Sequence, residues 1–383
     1  MPSATRHLVV EGWRSICQSY AVINQWQLLA MARRPDLRLS VRDLPYLDAG
    51  WVRAKGLFEP QDEQVLAALP LAQEGEHGDA TLRMTAPYDF SLSPRGRTVV
   101  FGTSEFRIIP PFYLAGQPDI ARLAQDPSFL VWTCSRWSAG GFLRLGLPQE
   151  RVATIALGVD PTRFYPTTEG RDAVRQNMGL KGFVFVSVGA MTGNKGVDIL
   201  MRAFAAVASQ RPDVTLFLKG VDGLYQSAHL LEDSIQKLPA RDRHLVADRL
   251  VYNGDSLSMK QMAELYRSAD AYVSPYRAEG FNMPVLESAA CGVPVICTGG
   301  GSTDDFVTDD FALKIQSRIV PVKLEGGMIG DQLAPDVEHL IAQMLAVMDH
   351  EDWRRRASMA GPAHVTANYT WDRVVQRLIE VIF

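Results

Sequence analysis

Two glutamates flanking a glycine turn are the residues best suited to chemistry in this sequence. Seven residues separate Glu279 from Glu287 in the segment 277–287 (RAEGFNMPVLE). We predict a strand that ends just before this segment and a helix that starts near Pro284, because proline loses no hydrogen bond in a first helical turn. The N–H groups at a helix start favour an anion, and Glu287 could accept hydrogen bonds from two vicinal hydroxyls of a ribose. Two ordinary surface glutamates are the alternative interpretation.

A second loop, residues 187–198 (SVGAMTGNKGVD), carries Lys195 between a predicted strand and an amphipathic helix. Glycines let the backbone approach a phosphate, and lysine supplies a compact positive charge. The loop follows neither the Walker A pattern G-x4-G-K-S/T nor the dinucleotide pattern G-x-G-x-x-G. From the residue types we predict only that Lys195 holds a phosphate group of a ligand. A plain lysine at a helix start is the alternative.

These two segments resemble the retaining glycosyltransferases of family 4, which carry an E-x7-E signature and a Lys-Gly phosphate loop. The resemblance is strong over residues 130–310 and weak over the first 120. It implies the GT-B fold, an α/β architecture of two Rossmann-like domains facing each other across a cleft. The implied domains are an acceptor-binding domain (1–165), a donor-binding domain (166–360) and a terminal helix (361–383) that crosses back to the first domain.

The same resemblance implies a function and a set of site residues. The chain would move a hexose from a nucleotide-sugar donor to a saccharide or lipid-linked acceptor, as in polysaccharide biosynthesis, with no cofactor and no metal ion. Glu279 and Lys195 are the implied catalytic residues. The implied donor-binding residues are Gly12, Gly189, Lys195, Asp255, Ser256, Gly280, Phe281, Asn282, Met283 and Glu287.

Acceptor binding is predicted in the N-terminal half, where Gly12 lies in the loop after the first predicted strand. Trp13 and Tyr20 follow it, and aromatic faces suit sugar rings, although both could equally pack inside the domain. Arg14 lies in the same loop. Many relatives contact the donor sugar through an N-terminal histidine, which is missing at the corresponding strand end. Glu105 is the candidate to replace it, contacting donor or acceptor hydroxyls.

Two further positions depart from the family pattern. Ala190 stands where an arginine is common in the phosphate loop, and Leu157 stands where an asparagine usually precedes Gly-Val-Asp. A second positive charge would then come from Lys219 or Arg277. These departures leave a non-catalytic nucleotide-sugar-binding subunit open. A sucrose- or glycogen-synthase-like transferase of the same superfamily is a second enzymatic alternative. The missing dinucleotide pattern disfavours a nicotinamide dehydrogenase.

The elements that must position these residues alternate between short apolar runs and helical patterns, which is typical of parallel α/β units. The predicted strands are 7–11, 37–41, 98–103, 130–133, 184–188, 214–219, 250–252, 271–275 and 294–297, and the terminal helix is 371–381. The formal net charge of −4 over 383 residues offers no case for nucleic acid. Four cysteines, the absence of a spanning apolar run and the start at residues 1–7 predict a cytoplasmic protein, with peripheral membrane contact left open.

Overall fold

The chain forms two compact units in a computed structural model that describes residues 5–383. Unit 1 comprises the residues up to Gly158 together with Val322–Gly330 and Tyr369–Phe383. Unit 2 comprises Val159–Pro321 and Asp331–Asn368. The predicted domain bounds at 165 and 360 stay a prediction. The interpretation of residues 1–7 as lacking a signal peptide falls partly on residues 1–4, which lie outside the described residues.

Unit 1 contains a six-stranded sheet of order β2-β1-β3-β4-β5-β6, in which every neighbouring pair is parallel. Its strands are β1 (Arg6–Gly12), β2 (Leu37–Asp43), β3 (Ala80–Met84), β4 (Arg97–Phe101), β5 (Phe129–Thr133) and β6 (Val152–Thr154). Its helices are α1 (Ser19–Ala32), α2 (Pro60–Ala68), α3 (Ile120–Gln125), α4 (Arg136–Arg144) and α14 (Trp371–Ile382).

Unit 2 contains a second six-stranded sheet, of order β12-β11-β10-β7-β8-β9, again with parallel pairs throughout. Its strands are β7 (Phe183–Val188), β8 (Val214–Lys219), β9 (Leu250–Asn253), β10 (Ala271–Ser274), β11 (Val295–Thr298) and β12 (Ala312–Ile315). Its helices are α5 (Arg171–Asn177), α6 (Val197–Gln210), α7 (Asp222–Tyr225), α8 (Ser227–Gln236), α9 (Ala240–Ala247), α10 (Met259–Ser268), α11 (Met283–Ala290), α12 (Val337–Asp349) and α13 (Glu351–Asn368). A two-stranded sheet pairs β13 (Ser317–Lys323) with β14 (Ile329–Pro335).

Apolar burial explains why these segments adopt these structures. All five residues of β5 and all six of β8 are buried, as expected for parallel strands covered on both faces. The predicted apolar face of α6 is buried through Val197, Leu200, Phe204 and Val207. The prediction of two Rossmann-like α/β domains is therefore confirmed.

The terminal helix α14 belongs to unit 1, where it packs against α1. Its apolar residues recur at helical spacing and are buried, from Trp371 and Val374 to Ile382. The hydroxyl of Thr370 caps the helix by accepting a hydrogen bond from the N–H of Arg373. Helix α1 is in turn buried from Tyr20 to Met31, so α14 completes the apolar cover of α1 in this unit.

Candidate active site

The sequence-predicted site residues of unit 2 converge where the strand order of its sheet reverses. The chain runs from β7 outward through β8 and β9, and then returns to the other side of β7 as β10. The loops that leave the carboxyl ends of β7 and β10 therefore lie at the reversal point of the strand order, which is the usual ligand site of open α/β sheets. Lys195 lies in the first of these loops and Glu279 in the second.

Lys195 and Glu279 form a direct ion pair. The Nζ atom of Lys195 lies 2.5 Å from Oε1 of Glu279, and the side chains are 24% and 10% exposed respectively. A Cβ atom on Gly189 would lie 3.4 Å from the stem of Lys195, so the lysine side chain passes over this glycine. The two predicted catalytic groups are therefore brought together, with the ammonium on the more exposed side of the pair.

Backbone hydrogen bonds join the two loops that carry this pair. The N–H groups of Arg277 and Ala278 both donate to the carbonyl oxygen of Asn194, over 2.7 and 3.2 Å. The side-chain amide of Asn194 donates back to the carbonyl oxygen of Ala278. Gly196 ends the 3-10 turn Gly193–Lys195 with a φ of 70°. The separation of Lys195 from Glu279 is thus set by the backbone as well as by the ion pair.

Gly196→Ala is expected to lower the free energy of unfolding by about 1–3 kcal/mol and to reduce any activity that depends on Lys195. A Cβ atom there would lie 2.0 Å from the carbonyl oxygen of Pro275, and the positive φ disfavours any L side chain. Urea unfolding measures the loss. Gly193→Ala is the matched control, because nothing lies within 4 Å of its built Cβ. Equal stabilities of the two variants would contradict the argument.

Glu287 is the second glutamate of the motif and lies on α11, with 7% of its surface exposed. Its Oε2 atom accepts a hydrogen bond of 2.7 Å from the hydroxyl of Tyr266 on α10. Burial raises the pKa of Glu287 to about 7, although the hydrogen bond from Tyr266 acts in the opposite direction. A carboxyl group that is half-protonated near neutral pH can both accept hydrogen bonds from hydroxyls and respond to small changes in pH.

The turn between the two glutamates is held in an unusual backbone conformation. Asn282 precedes α11 with a φ of 78°, in the left-handed region that non-glycine residues rarely adopt. Its side-chain amide donates to the hydroxyl of Ser274, at the end of β10, over 2.9 Å. Phe281 stacks on Phe306 with ring centroids 4.6 Å apart. These contacts fix the start of α11, where Pro284 has no N–H and the N–H of Val285 donates to the carbonyl oxygen of Asn282 over 3.1 Å.

The implied donor-binding residues Asp255 and Ser256 lie in the loop after β9, and both are exposed. Lys219, at the end of β8, is 2% exposed, and its ammonium donates to the carbonyl oxygens of Gly220 and Asp255. Lys219 therefore links the end of β8 to the loop after β9. Its role as a second phosphate-binding charge stays a prediction.

The predicted donor glycine of unit 1, Gly12, ends β1 between its neighbours β2 and β3. This is the point where the strand order of the first sheet reverses. A Cβ atom on Gly12 would lie 2.5 Å from the carbonyl oxygen of Met84, so only glycine fits there. Gly12 therefore lies at the edge where open α/β sheets usually bind ligands. Its contact with a diphosphate stays a prediction.

The predicted acceptor residues of unit 1 are engaged in contacts within the unit. Trp13 is 1% exposed, and its ring nitrogen donates to the carbonyl oxygen of Pro45 over 2.8 Å. The hydroxyl of Tyr20 lies 2.9 Å from that of Tyr88, and burial raises the pKa of Tyr20 well above its ordinary value. These contacts stabilise the loop after β1. Acceptor binding by Trp13 and Tyr20 stays a prediction.

Arg14 makes a bidentate ion pair with Asp43, at 2.6 and 2.9 Å, at the end of β2. Burial alone raises the pKa of Asp43, but hydrogen bonds from Arg14 and Arg53 outweigh it, and the pKa lies below its ordinary value. Glu105 is half-buried, and its backbone carbonyl accepts a hydrogen bond of 2.7 Å from the ring nitrogen of Trp137. The roles of Arg14 and Glu105 in acceptor binding stay predictions.

Sequence reasoning missed two residues that act on the predicted ones. Tyr266 supports Glu287, and Asp198 holds the guanidinium of Arg277 through two hydrogen bonds. Asp198 was visible as an acidic residue in the first turn of a predicted helix. Tyr266 gave no local signal, because its partner lies on another helix.

Metal ligands and membrane-spanning helices are considered for the described residues, 5–383. Within that range no group of three or more histidine, cysteine, aspartate or glutamate side chains is placed to hold a metal ion. None of the helices there has both the length and the apolar character required to cross a bilayer. The prediction that no metal is needed stays a prediction.

Comparisons with known proteins agree with this geometry. The model of the family "Glycosyl transferases group 1" matches residues 182–348. The mannosylfructose-phosphate synthase of Agrobacterium fabrum is 26% identical over 62% of this chain and 48% of its own length. A GDP-mannose-dependent monoacylated alpha-(1-6)-phosphatidylinositol monomannoside mannosyltransferase of Corynebacterium glutamicum is 30% identical, over 59% of this chain and 54% of its own. The chain thus spans about half the length of these relatives.

A solved structure extends the likeness to the fold of almost the whole chain. Anabaena Alr3699/HepE, in a complex with UDP and glucose, superimposes with a TM-score of 0.68 over 98% of this chain and 99% of its own, at 14% identity. At that identity the likeness establishes the fold alone, which is the predicted GT-B fold. The segment that matches the family model, residues 182–348, contains Lys195, Glu279 and Glu287.

Proposed function

We propose that this chain transfers a hexose from a nucleotide-sugar donor to a saccharide or glycolipid acceptor, with retention of anomeric configuration and without a metal ion. The observation that carries the proposal is the ion pair of Lys195 and Glu279 at the strand-order reversal of unit 2. The buried Glu287 lies on α11, the helix that follows Glu279 in the chain. The family match over residues 182–348 supports the same conclusion.

In this proposal the donor diphosphate lies against Lys195 and the start of α11. The ammonium supplies a full positive charge, and the helix start supplies N–H dipoles, so both stabilise the charge that develops on the departing diphosphate. Gly189 allows the lysine stem to lie close to the backbone. Glu287 accepts hydrogen bonds from the ribose hydroxyls.

Glu279 faces the transferred sugar, where its carboxylate orients hydroxyls and stabilises the positive charge of an oxocarbenium-like transition state. The bond between the anomeric carbon and the β-phosphate oxygen breaks while the acceptor oxygen bonds to the same face of that carbon. The proton of the acceptor hydroxyl passes to the leaving phosphate oxygen. This route requires no protein base, which agrees with the missing N-terminal histidine.

The names of the relatives guide the choice of substrates to test. Mannosylfructose-phosphate synthase and D-inositol 3-phosphate glycosyltransferase both point to small phosphorylated acceptors, and one relative is named as GDP-mannose-dependent. We propose GDP-mannose and UDP-glucose as the first donors, with D-inositol 3-phosphate among the first acceptors. Long-chain polysaccharide and glycolipid acceptors complete the panel.

The thermal unfolding of the purified protein with saturating UDP, GDP, dTDP or ADP in EDTA tests the proposal. A nucleotide at about 100 times its Kd adds about 2.7 kcal/mol of stability, which corresponds to a rise of a few degrees in Tm. We expect a rise with one base and release of the matching diphosphate from its sugar donor. A rise without turnover would favour a non-catalytic nucleotide-sugar-binding subunit. No rise with any nucleotide would contradict a donor site.

The pH dependence of nucleotide binding is expected to follow Glu287. With its pKa raised to about 7, the carboxylate form prevails only above that pH, so the affinity for the nucleoside diphosphate falls by up to about tenfold for each unit below pH 7. Titration calorimetry between pH 5.5 and 8.5 measures this slope. In Glu287→Gln the slope should vanish, and a slope that persists would assign it to another group.

As the pH rises, the free energy of unfolding of the protein without nucleotide is expected to fall, whereas the affinity for the nucleotide rises. A carboxyl group whose pKa is raised on folding binds protons more tightly in the folded state, so its contribution is fully present below pH 4.5. That contribution is lost as the pH rises through about 7, and it amounts to about 3 kcal/mol. Urea unfolding across this range measures the loss, and Glu287→Gln should lack it.

We also propose a cytoplasmic location, in keeping with the low cysteine content of the chain, four cysteines in 383 residues. Peripheral contact with a membrane is proposed only for the case of a lipid-linked acceptor. Flotation with vesicles that contain or lack such an acceptor distinguishes the two cases.

A further inference from the structure

The side chains of Arg277 and Asp198 form a bidentate charged contact beside the candidate site. Two parallel hydrogen bonds of 2.6 and 2.7 Å join the guanidinium to the carboxylate. The same guanidinium donates to the carbonyl oxygen of Gly193 over 2.8 Å. The Arg277 side chain is 22% exposed and that of Asp198 is 35% exposed. Bidentate pairs of this kind fix orientation as well as distance.

This contact encloses the turn that carries Lys195 from both ends. Gly193 begins the 3-10 turn that ends at Lys195, and Asp198 lies in the first turn of the following helix, α6. Arg277 belongs to the opposite loop, only two residues before Glu279. Its backbone N–H also donates to Asn194, in the middle of the turn. A single residue, two positions before Glu279, therefore contacts the first and the middle residue of the lysine turn and the helix that follows the turn.

We propose that Arg277 and Asp198 are positioning residues, which hold the ammonium of Lys195 at a fixed place relative to Glu279 without touching the donor. This inference rests on the proposed function and deepens it. Ala190 stands where the phosphate loop was expected to have an arginine. Stabilisation of the diphosphate therefore depends more strongly on the position of the Lys195 ammonium. A guanidinium already occupied by a carboxylate and a carbonyl oxygen is suited to this role.

The experiment compares Arg277→Met, Asp198→Asn and the double variant in the release of UDP from UDP-glucose, or of GDP from GDP-mannose. Each single variant is expected to lower kcat by roughly 10- to 100-fold, because small displacements of a reacting group have effects of this size. The double variant should lose no more than the worse single variant, since both changes break the same contact. The Kd of the nucleoside diphosphate should change by less than about threefold.

Arg202→Met is the matched control, because Arg202 also approaches Asp198, at 3.6 Å, but is 53% exposed and lies along α6 away from the turn. Its kcat should match that of the unchanged protein. Weaker nucleotide binding in Arg277→Met alone would overturn the inference by making Arg277 a diphosphate ligand. Unchanged kcat with a lower Tm would overturn it by making the pair purely structural. No turnover in the unchanged protein would overturn the proposed function and this inference with it.

Discussion

Replacing Glu279 with glutamine is expected to lower the rate of sugar transfer about 100- to 1,000-fold while the nucleoside diphosphate binds as tightly as before or more tightly. In the structure the carboxylate of Glu279 lies 2.5 Å from the ammonium of Lys195 and neutralises it. A donor diphosphate must compete with Glu279 for that ammonium. Glutamine removes the competitor, so affinity for the diphosphate should rise by up to about tenfold, or about 1.4 kcal/mol.

Calorimetric titration of the nucleoside diphosphate and turnover of the donor sugar check the two halves of this expectation. Glu232→Gln, an exposed change on α8 of the same unit, is the control and should affect neither. Turnover above half of the normal rate would exclude Glu279 from the reaction. Much weaker nucleotide binding would contradict the competition between carboxylate and diphosphate.

Replacing Lys195 with methionine is expected to lower both activity and nucleotide affinity. The variant keeps the apolar stem over Gly189 but loses the ammonium, so the contact with the diphosphate disappears while the contact with the ribose remains. A charge-assisted hydrogen bond contributes about 1.5–3 kcal/mol, so the Kd of UDP or GDP should rise about 10- to 100-fold. The loss of turnover should be larger, because the negative charge on the diphosphate grows in the transition state.

Binding of the bare nucleoside provides the discriminating readout for Lys195. Uridine or guanosine lacks the diphosphate, so its Kd should be the same in Lys195→Met and in the unchanged protein. Lys181→Met, an exposed lysine just before β7, is the control. Near-normal turnover in Lys195→Met would contradict its assignment to the diphosphate.

The donor half of the site could be predicted from the sequence because its chemistry is local. Glu279, the glycine turn and Glu287 occupy one strand–turn–helix unit, and Lys195 occupies another, so spacing along the chain carries their geometry. The partners of these residues depend on distant segments and were not predictable. Tyr266 reaches Glu287 only because α10 and α11 pack together, and Arg277 reaches Asp198 across 79 residues.

The predicted strands correspond to most strands of the two six-stranded sheets, but strand β3 is not among them. Strand β3 was missed because Ala80–Met84 contains Arg83 and follows a segment that resembles a loop. Arg83 is nevertheless buried, since its guanidinium donates to Glu11 on the neighbouring strand over 2.9 Å. Such pairing neutralises the charge only after both strands are in place, so no local pattern can reveal it.

In unit 1, the loop after β1 shows the limit of reasoning from residue type. Trp13, Arg14 and Tyr20 have the chemistry of a sugar-binding surface, but each has hydrogen-bond partners inside the unit. A tryptophan or tyrosine that lines a groove and one that fills a core look the same in a sequence. Only the surroundings distinguish them.

The reversal of strand order in unit 2 has a consequence for how this protein could be divided. Lys195 and Glu279 are 84 residues apart in sequence. The chain between β7 and β10 forms β8 and β9 on one side of β7 before it returns as β10 on the other side. The ion pair therefore cannot assemble in either half of unit 2 alone. Two fragments separated in the turn at 237–239, between α8 and α9, where Lys237 and Pro239 are exposed, would each be inert. Activity recovered on mixing them would report directly on their reassociation.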